Sequence, residues 1–246
     1  MTVKKRSARR VNENEILDLH NTSKDWELDF HIKKPFKLNP IQQEFFDTII
    51  NDQTQMTFVD GPAGSAKTYI GVLAALRLLS ERKINNIVYI RSIVESANRS
   101  MGALPGEIEE KFKPWSAPLL DKLEEIIDPG AQSTLLSKGF IKCIPVNFTR
   151  GLTFRESVVI VDEAQNMTKD ELTTVLTRFG EGSKYIIVGD SLQSDINGKS
   201  GFKKVKKAFN SDVCQLNGIF TYEFTDNEVV RSKILKFIVS QLSQIS

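Results

Sequence analysis

The stretch QMTFVDGPAGSAKTYIGVLAALRLL (55–79) decides the fold. QMTFVD (55–60) reads as a strand ending in Asp60, GPAGSAKT (61–68) as a Gly-rich turn, and KTYIGVLAALRLL (67–79) as a long apolar helix. A strand that turns through glycine straight into a helix is the context a phosphate-binding loop requires. Successive backbone N–H groups there wrap phosphate oxygens, and the helix N-terminus adds partial positive charge. The expected nucleotide-contacting run is Gly61, Pro62, Ala63, Gly64, Ser65, Ala66, Lys67, Thr68 and Tyr69. Lys67 would reach the β- and γ-phosphates of ATP, and the Thr68 hydroxyl would ligate Mg²⁺.

One residue departs from the usual pattern, which has glycine before the lysine; here it is Ala66. If the position needs a positive φ, alanine is strained by about 1 kcal/mol. If it already lies in the first helical turn, alanine is harmless.

Two further strand ends carry chemistry. VVIVDEAQN (158–166) delivers two adjacent carboxylates after an apolar run. Asp162 would hold Mg²⁺, and Glu163 would orient and deprotonate the attacking water, a catalytic role shared with Lys67. IIVGDSLQSD (186–195) again ends a buried strand in Asp, and Gln193 would touch the γ-phosphate or the water. Upstream, Asn39-Pro40-Ile41-Gln42 precedes a helix; Asn39 is a suitable N-cap and Pro40 a first helical residue. An amide at Asn39 or Gln42 would read the adenine edge through paired donor and acceptor contacts.

Around these motifs, apolar runs alternate with helical periodicity. Strands are expected at 86–91, 140–146, 157–164 and 184–190, and helices at 41–50 and 169–179. Two or three short helices are expected within 107–138. Uniformly apolar strands alternating with helices imply a mainly parallel sheet covered on both faces, a three-layer α/β core, with ligands at the carboxyl ends of the strands. Further on, GFKKVKKAF (201–209) reads as a helix. VCQL and IFTYEF (213–224) read as a hairpin around Asn217-Gly218, and 227–242 as an amphipathic helix. Residues 1–37 are polar and irregular and read as a partly disordered N-terminal arm, leaving 38–246 as the domain.

Composition removes other classes. With 246 residues, 40% hydrophobic and 26% charged, the chain can bury a core and is not disordered throughout. Cys143 and Cys214 lie in apolar strand-like runs and read as buried free thiols, which suits a reducing cytosol. Two isolated histidines, His20 and His31, do not make a transition-metal site. No apolar run approaches a membrane span, and the basic start MTVKKRSARR has no apolar stretch behind it, so a cytoplasmic protein is expected. A net charge of +2 is nearly neutral, but five of the first ten residues are basic, and KSGFKKVKK (199–207) holds five lysines. Such clusters add salt-dependent binding to a phosphate backbone.

Together these residues resemble the PhoH family, a branch of the superfamily 1 helicase-like P-loop ATPases with a RecA-like core. MGALPGEIEEKFKPW (101–115), NFTRGLTF (147–154), LTRFGEGSKYIIVGDSLQSD (176–195) and EVVRSKI (228–234) follow in the family's order, so that the resemblance spans roughly 38–239. Besides Ala66, Arg91-Ser92 stands where the family has Arg-Pro, and Met101-Gly102-Ala103 where Leu-Gly-Phe is common. The resemblance implies binding and hydrolysis of ATP with Mg²⁺, a link to single-stranded nucleic acid with RNA favoured over DNA, and a homo-oligomeric ring, a hexamer by preference. It does not imply a nuclease, which in the family comes with a separate domain. Two-domain helicases complete their ATP site with an arginine from the second domain, for which this chain has no room. A neighbouring subunit is therefore expected to supply one, from Arg150, Arg178 or Arg231. Nucleic-acid contact is expected at Arg99, Phe148 and Arg155 in two loops, where a cation beside an aromatic combines phosphate contact with stacking. The alternative is a nucleotide-gated binding module that hydrolyses slowly and unwinds nothing. A small-molecule kinase fits less well, because Glu163 beside Asp162 favours water as the acceptor.

Overall fold

The computed structural model describes residues 29–92, 108–196 and 198–230, with single positions 234, 237, 238 and 241 beyond. Six strands form one sheet: β1 (Met56–Asp60), β2 (Asn86–Arg91), β3 (Ile141–Pro145), β4 (Ser157–Asp162), β5 (Lys184–Gly189) and β6 (Ile219–Glu223). Their order is β3-β2-β4-β5-β1-β6, and every pairing between neighbours is parallel. All the strands therefore end at the same edge. Register sets the partners there: Asp60 lies opposite Gly189, and Arg91 opposite Asp162.

Alternation along β4 shows why the strands are apolar throughout. Val158 and Ile160 join one core with α1 (Pro40–Ile50), α2 (Lys67–Ser80), α3 (Ile108–Ile126) and α4 (Pro129–Ser137). Val159 and Val161 join a second core with α5 (Lys169–Leu176) and α6 (Phe202–Ala208). A side-chain period of two sends successive residues to opposite faces, and both faces are covered. The result is the three-layer RecA-like α/β core expected from the sequence. Helix α2 lies under the sheet with eleven of its fourteen residues buried, which anchors the loop before it.

Three local expectations need correction. The run 107–138 folds as two helices, within the expected number, but the first is long, 19 residues against 9 for the second. Pro118 interrupts the α3 ladder, but Leu119, Leu123 and Ile126 form a buried stripe that holds the helix together. Second, 213–224 is not a hairpin. VCQL belongs to a short helix, α7 (Asp212–Leu216), capped by the Ser211 side chain, and β6 pairs parallel with β1. Asn217-Gly218 ends that helix: Gly218 has φ 73° and its N–H donates to the Gln215 carbonyl, so the dipeptide works as a helix C-cap. Third, both cysteines are only partly buried: Cys214 lies on a helix, and Cys143 on β3, where burial pushes its thiol up to about 12.

Residues 29–37 pack onto the domain. Ile32 bridges to Ile127, the Lys33 N–H donates to the Ile126 carbonyl, and Phe36 rests on the core. The rest of the expected arm, 1–28, lies outside the described residues, as does most of the last expected helix. That segment opens with a 3-10 turn at Asp226–Glu228, and positions 234, 237, 238 and 241 are helical. No helix among the described residues is long and apolar enough to cross a membrane.

Candidate nucleotide site

The site lies at the carboxyl edge of β1, β4 and β5. The loop 61–66 leaves β1 and crosses in front of α2. Gly61 sits so close to Phe224 that a Cβ would meet the Phe224 Cβ at 2.6 Å, so packing alone demands glycine there. Gly64 has φ 83° and Ala66 φ 66°, ψ 15°. The question left by the sequence is thereby answered: Ala66 is in the left-handed region that favours glycine.

Lys67 is buried, with its Nζ donating to the carbonyls of Gly61 (2.5 Å) and Pro62 (2.8 Å) and to Ser65 Oγ (3.3 Å). The ammonium thus occupies its own loop, on bonds that phosphate oxygens would replace. Burial lowers its pKa, while the Asp190, Asp162, Glu163 and Asp60 carboxylates oppose that shift.

Thr68 Oγ1 donates to Asp162 Oδ1 at 2.9 Å, so the last loop residue and the end of β4 meet as expected. The other carboxylate oxygen, Oδ2, accepts from the buried Tyr89 hydroxyl of β2, whose pKa burial and the adjacent Asp162 raise well above its ordinary value. A hydroxyl and a single carboxylate oxygen suit Mg²⁺, which takes few protein ligands and completes its shell with phosphate and water.

Glu163 follows with φ 52°, a left-handed backbone that turns its carboxylate toward the cavity. Gln165 Nε2 donates to Glu163 Oε2 (2.5 Å), and Arg91 Nη2 lies 3.5 Å from Oε1. Burial, and then Asp162, raise the Glu163 pKa, the direction a general base requires. Gln165 also accepts from the Asp190 N–H, tying the base to the end of β5. Asn166 and Asp195 exchange two hydrogen bonds that staple the same loops. Asp190 Oδ1 accepts from the Leu192 N–H, while its buried Oδ2 has no hydrogen-bond partner among the described residues, and burial raises its pKa. Gln193 lines the same cavity.

Other expected residues fall elsewhere. Asn39 and Gln42 form a capping box on α1. Gln42 is 1% exposed; its amide donates to the Ser65 and Glu228 carbonyls and its oxygen accepts from the Asn39 N–H. Asn39 Nδ2 donates to Glu228 Oε1. Gln42 braces the loop from behind through the Ser65 carbonyl, Asn39 is tied to Glu228, and neither lines the cavity. Arg178 folds back on the end of α5, with Nε donating to the Thr174 carbonyl. Arg150 is exposed beyond β3, and Phe148 beside it is 48% exposed. Arg155 precedes the start of β4 and so lies at the opposite edge of the sheet, apart from Phe148 and Arg150. Arg99 and Arg231 lie outside the described residues. Of the 199–207 lysines, Lys206 is buried and pairs with Glu223 (2.9 Å) and Asp60 (3.8 Å), whereas Lys199, Lys203, Lys204 and Lys207 are exposed.

Tyr89, Arg91 and Gln165 were not singled out by sequence. A tyrosine in an otherwise aliphatic strand and an arginine at its carboxyl end were the available signals for the first two.

A parallel sheet whose carboxyl edge carries a Gly-rich loop, a lysine within it, and a threonine bonded to a strand-end aspartate defines a P-loop NTPase fold. The comparisons with known proteins agree. The family model described as PhoH-like protein matches residues 36–243, and the chain belongs to that family. It is 34% identical over 206 residues to a PhoH-like protein of Mycobacterium tuberculosis (strain ATCC 25618 / H37Rv), covering 84% of this chain and 56% of the relative. To a PhoH-like protein of Bacillus subtilis (strain 168) it is 36% identical over 189 residues, covering 76% and 58%. To one of Synechocystis sp. (strain ATCC 27184 / PCC 6803 / Kazusa) it is 37% identical over 186, covering 75% and 55%. The chain thus spans a little over half the length of these relatives.

Proposed function

We propose that the chain is a Mg²⁺-dependent ATPase that couples hydrolysis to binding, translocation or remodelling of single-stranded nucleic acid, RNA in preference to DNA. The observation that carries the reading is the joint placement of Lys67, the Thr68–Asp162 pair and the Glu163 carboxylate around one cavity. Thr68 and Asp162 would hold Mg²⁺, which when bound offsets charge on the β- and γ-phosphates. Tyr89 keeps Asp162 oriented by its hydrogen bond. Lys67 exchanges its loop carbonyls for phosphate oxygens. Glu163 accepts a proton from the water whose oxygen attacks the γ-phosphorus, as the bond to the bridging oxygen breaks and ADP departs. Gln165 and Arg91 hold Glu163 in place.

No arginine lines this cavity among the described residues. Charge that develops on the transferred group calls for one. A homo-oligomeric ring, a hexamer by preference, would supply it from a neighbour; Arg150 is the described candidate exposed for that purpose. The same observation supports a second reading, a nucleotide-gated module that turns over slowly as a single chain.

The test is hydrolysis by the purified protein with and without single-stranded RNA and DNA. Lys67→Ala or Glu163→Gln should each lower turnover at least about a hundredfold. Stimulation by one nucleic acid names the track. ATP binding without turnover at any protein concentration selects the gated module.

A further inference from the structure

Beyond the phosphate loop the cavity, about 440 Å³ in all, continues toward a different set of walls. Phe36 and Tyr69 meet there with ring centroids 4.7 Å apart, and Pro118 and Val230 add apolar surface. Phe36 comes from the segment before α1, Tyr69 from the first turn of α2, Pro118 from α3, and Val230 from the segment after β6. Val230 is fixed by its N–H, which donates to the Gly64 carbonyl. This is where a base would lie when its phosphates sit in the loop. Among the described residues its polar side chains are Tyr69, whose hydroxyl can donate or accept, and Lys122 and Glu125, one helical turn apart on α3 and paired with each other.

Discrimination between adenine and guanine needs fixed donors and acceptors aimed at the edge where the two bases differ. Of the two amides expected to do this, Gln42 is buried behind the loop with both ends engaged and Asn39 is tied to Glu228. Lys122 and Glu125 are long side chains that together offer donors and an acceptor, so they exclude neither base edge. Stacking, by contrast, is indifferent to base identity because every base presents a π face.

We infer that the site takes purine nucleoside triphosphates as a class: the Phe36 ring, backed by the buried Tyr69, holds the base by its face, and Gln42 is a latch on the phosphate loop, not a base reader. The inference rests on the nucleotide-binding reading above and deepens it. ATP is then one substrate among equals, chosen by abundance.

The experiment is equilibrium competition of ATP, GTP, ITP and inorganic tripolyphosphate against a fluorescent ribose-labelled ATP, with Mg²⁺ present. The three nucleotides should bind within about threefold of one another. Phe36→Ala should weaken all three by about tenfold and leave tripolyphosphate unchanged, since stacking on one ring is worth about that much. Gln42→Ala should weaken nucleotides and tripolyphosphate by the same factor. A preference for ATP above tenfold that vanishes in Gln42→Ala overturns the inference and leaves the ATPase reading standing. So does a Phe36→Ala protein that binds all three nucleotides as the parent does. Failure of every nucleotide and of tripolyphosphate to bind overturns both.

Discussion

The two ends of one cavity are built differently. The phosphate end is made of the loop, the first residues of α2 and the strand ends, tied by hydrogen bonds: Lys67 to its loop, Thr68 to Asp162, Asp162 to Tyr89, Glu163 to Gln165 and Gln165 to the start of the 190–195 loop. The base end is made of single side chains from four distant segments, held by packing and carrying one mutually paired couple of charges. Phosphates are alike in every nucleotide and need fixed dipoles, so geometry there is over-determined. A base face needs only flat apolar surface, which many residues can provide.

The largest effect that would sharpen this contrast lies at the phosphate end. Tyr89→Phe removes one of two hydrogen bonds on the Asp162 carboxylate and little volume. Partners that orient a metal ligand are worth about ten- to a hundredfold in metal affinity. The Mg²⁺ concentration for half-maximal hydrolysis should therefore rise about tenfold, with binding of Mg²⁺-free nucleotide unchanged. An unaltered Mg²⁺ dependence would show that Asp162 needs only Thr68.

The next effect is a stability gain that accompanies lost activity. Burial and Asp162 raise the Glu163 pKa in the folded protein above its ordinary 4.5. The folded state then binds the proton more tightly than the unfolded state, so ionised Glu163 lowers stability at neutral pH. That penalty fades as pH falls through the raised value and is gone below about 4.5. Glu163→Gln should melt higher than the parent at pH 7 to 8, and the gap should close on acidification. Melting curves across that range check it; a variant less stable than the parent at neutral pH would mean that the Arg91 contact outweighs desolvation. In the parent, hydrolysis should fall as pH drops through the same raised value, because the protonated carboxyl cannot accept the proton of water.

The same contrast explains what was legible in the sequence. The loop 61–68, the strand ends Asp162 and Asp190, and the alternation that gives a doubly covered sheet are local patterns, and each was found where expected. The proposed base pocket was not, because Phe36, Pro118 and Val230 share no spacing and meet only through the fold. Gln42 misled for a related reason: an amide three residues after an N-cap serves a capping box as readily as a ligand, and only tertiary contacts decide. Asn217-Gly218 misled likewise, since the left-handed glycine that closes a hairpin also closes a helix. Tyr89 is invisible to any motif because its partner Asp162 is 73 residues away.

Ala66 offers the smallest and most direct test of whether the phosphate end is as tightly determined as its hydrogen bonds indicate. Its φ of 66° places a Cβ in a region that costs L-residues about 1–2 kcal/mol. The cost is borne because flanking bonds fix the backbone: the Ser65 carbonyl accepts from Gln42, the Ser65 N–H donates to the Pro62 carbonyl, and the Ala66 carbonyl accepts from the Ile70 N–H. Ala66→Gly removes the steric term and adds some chain entropy to the unfolded state, a partial offset of about 0.4–1 kcal/mol. The net expectation is a gain of about 0.5–1 kcal/mol, read by denaturant melts, with Lys67 and Thr68 undisturbed and nucleotide affinity unchanged or improved. If glycine instead lowers stability or weakens tripolyphosphate binding, then alanine's restriction of the chain holds the loop in its binding geometry, and its presence here in place of the usual glycine is an asset of this loop.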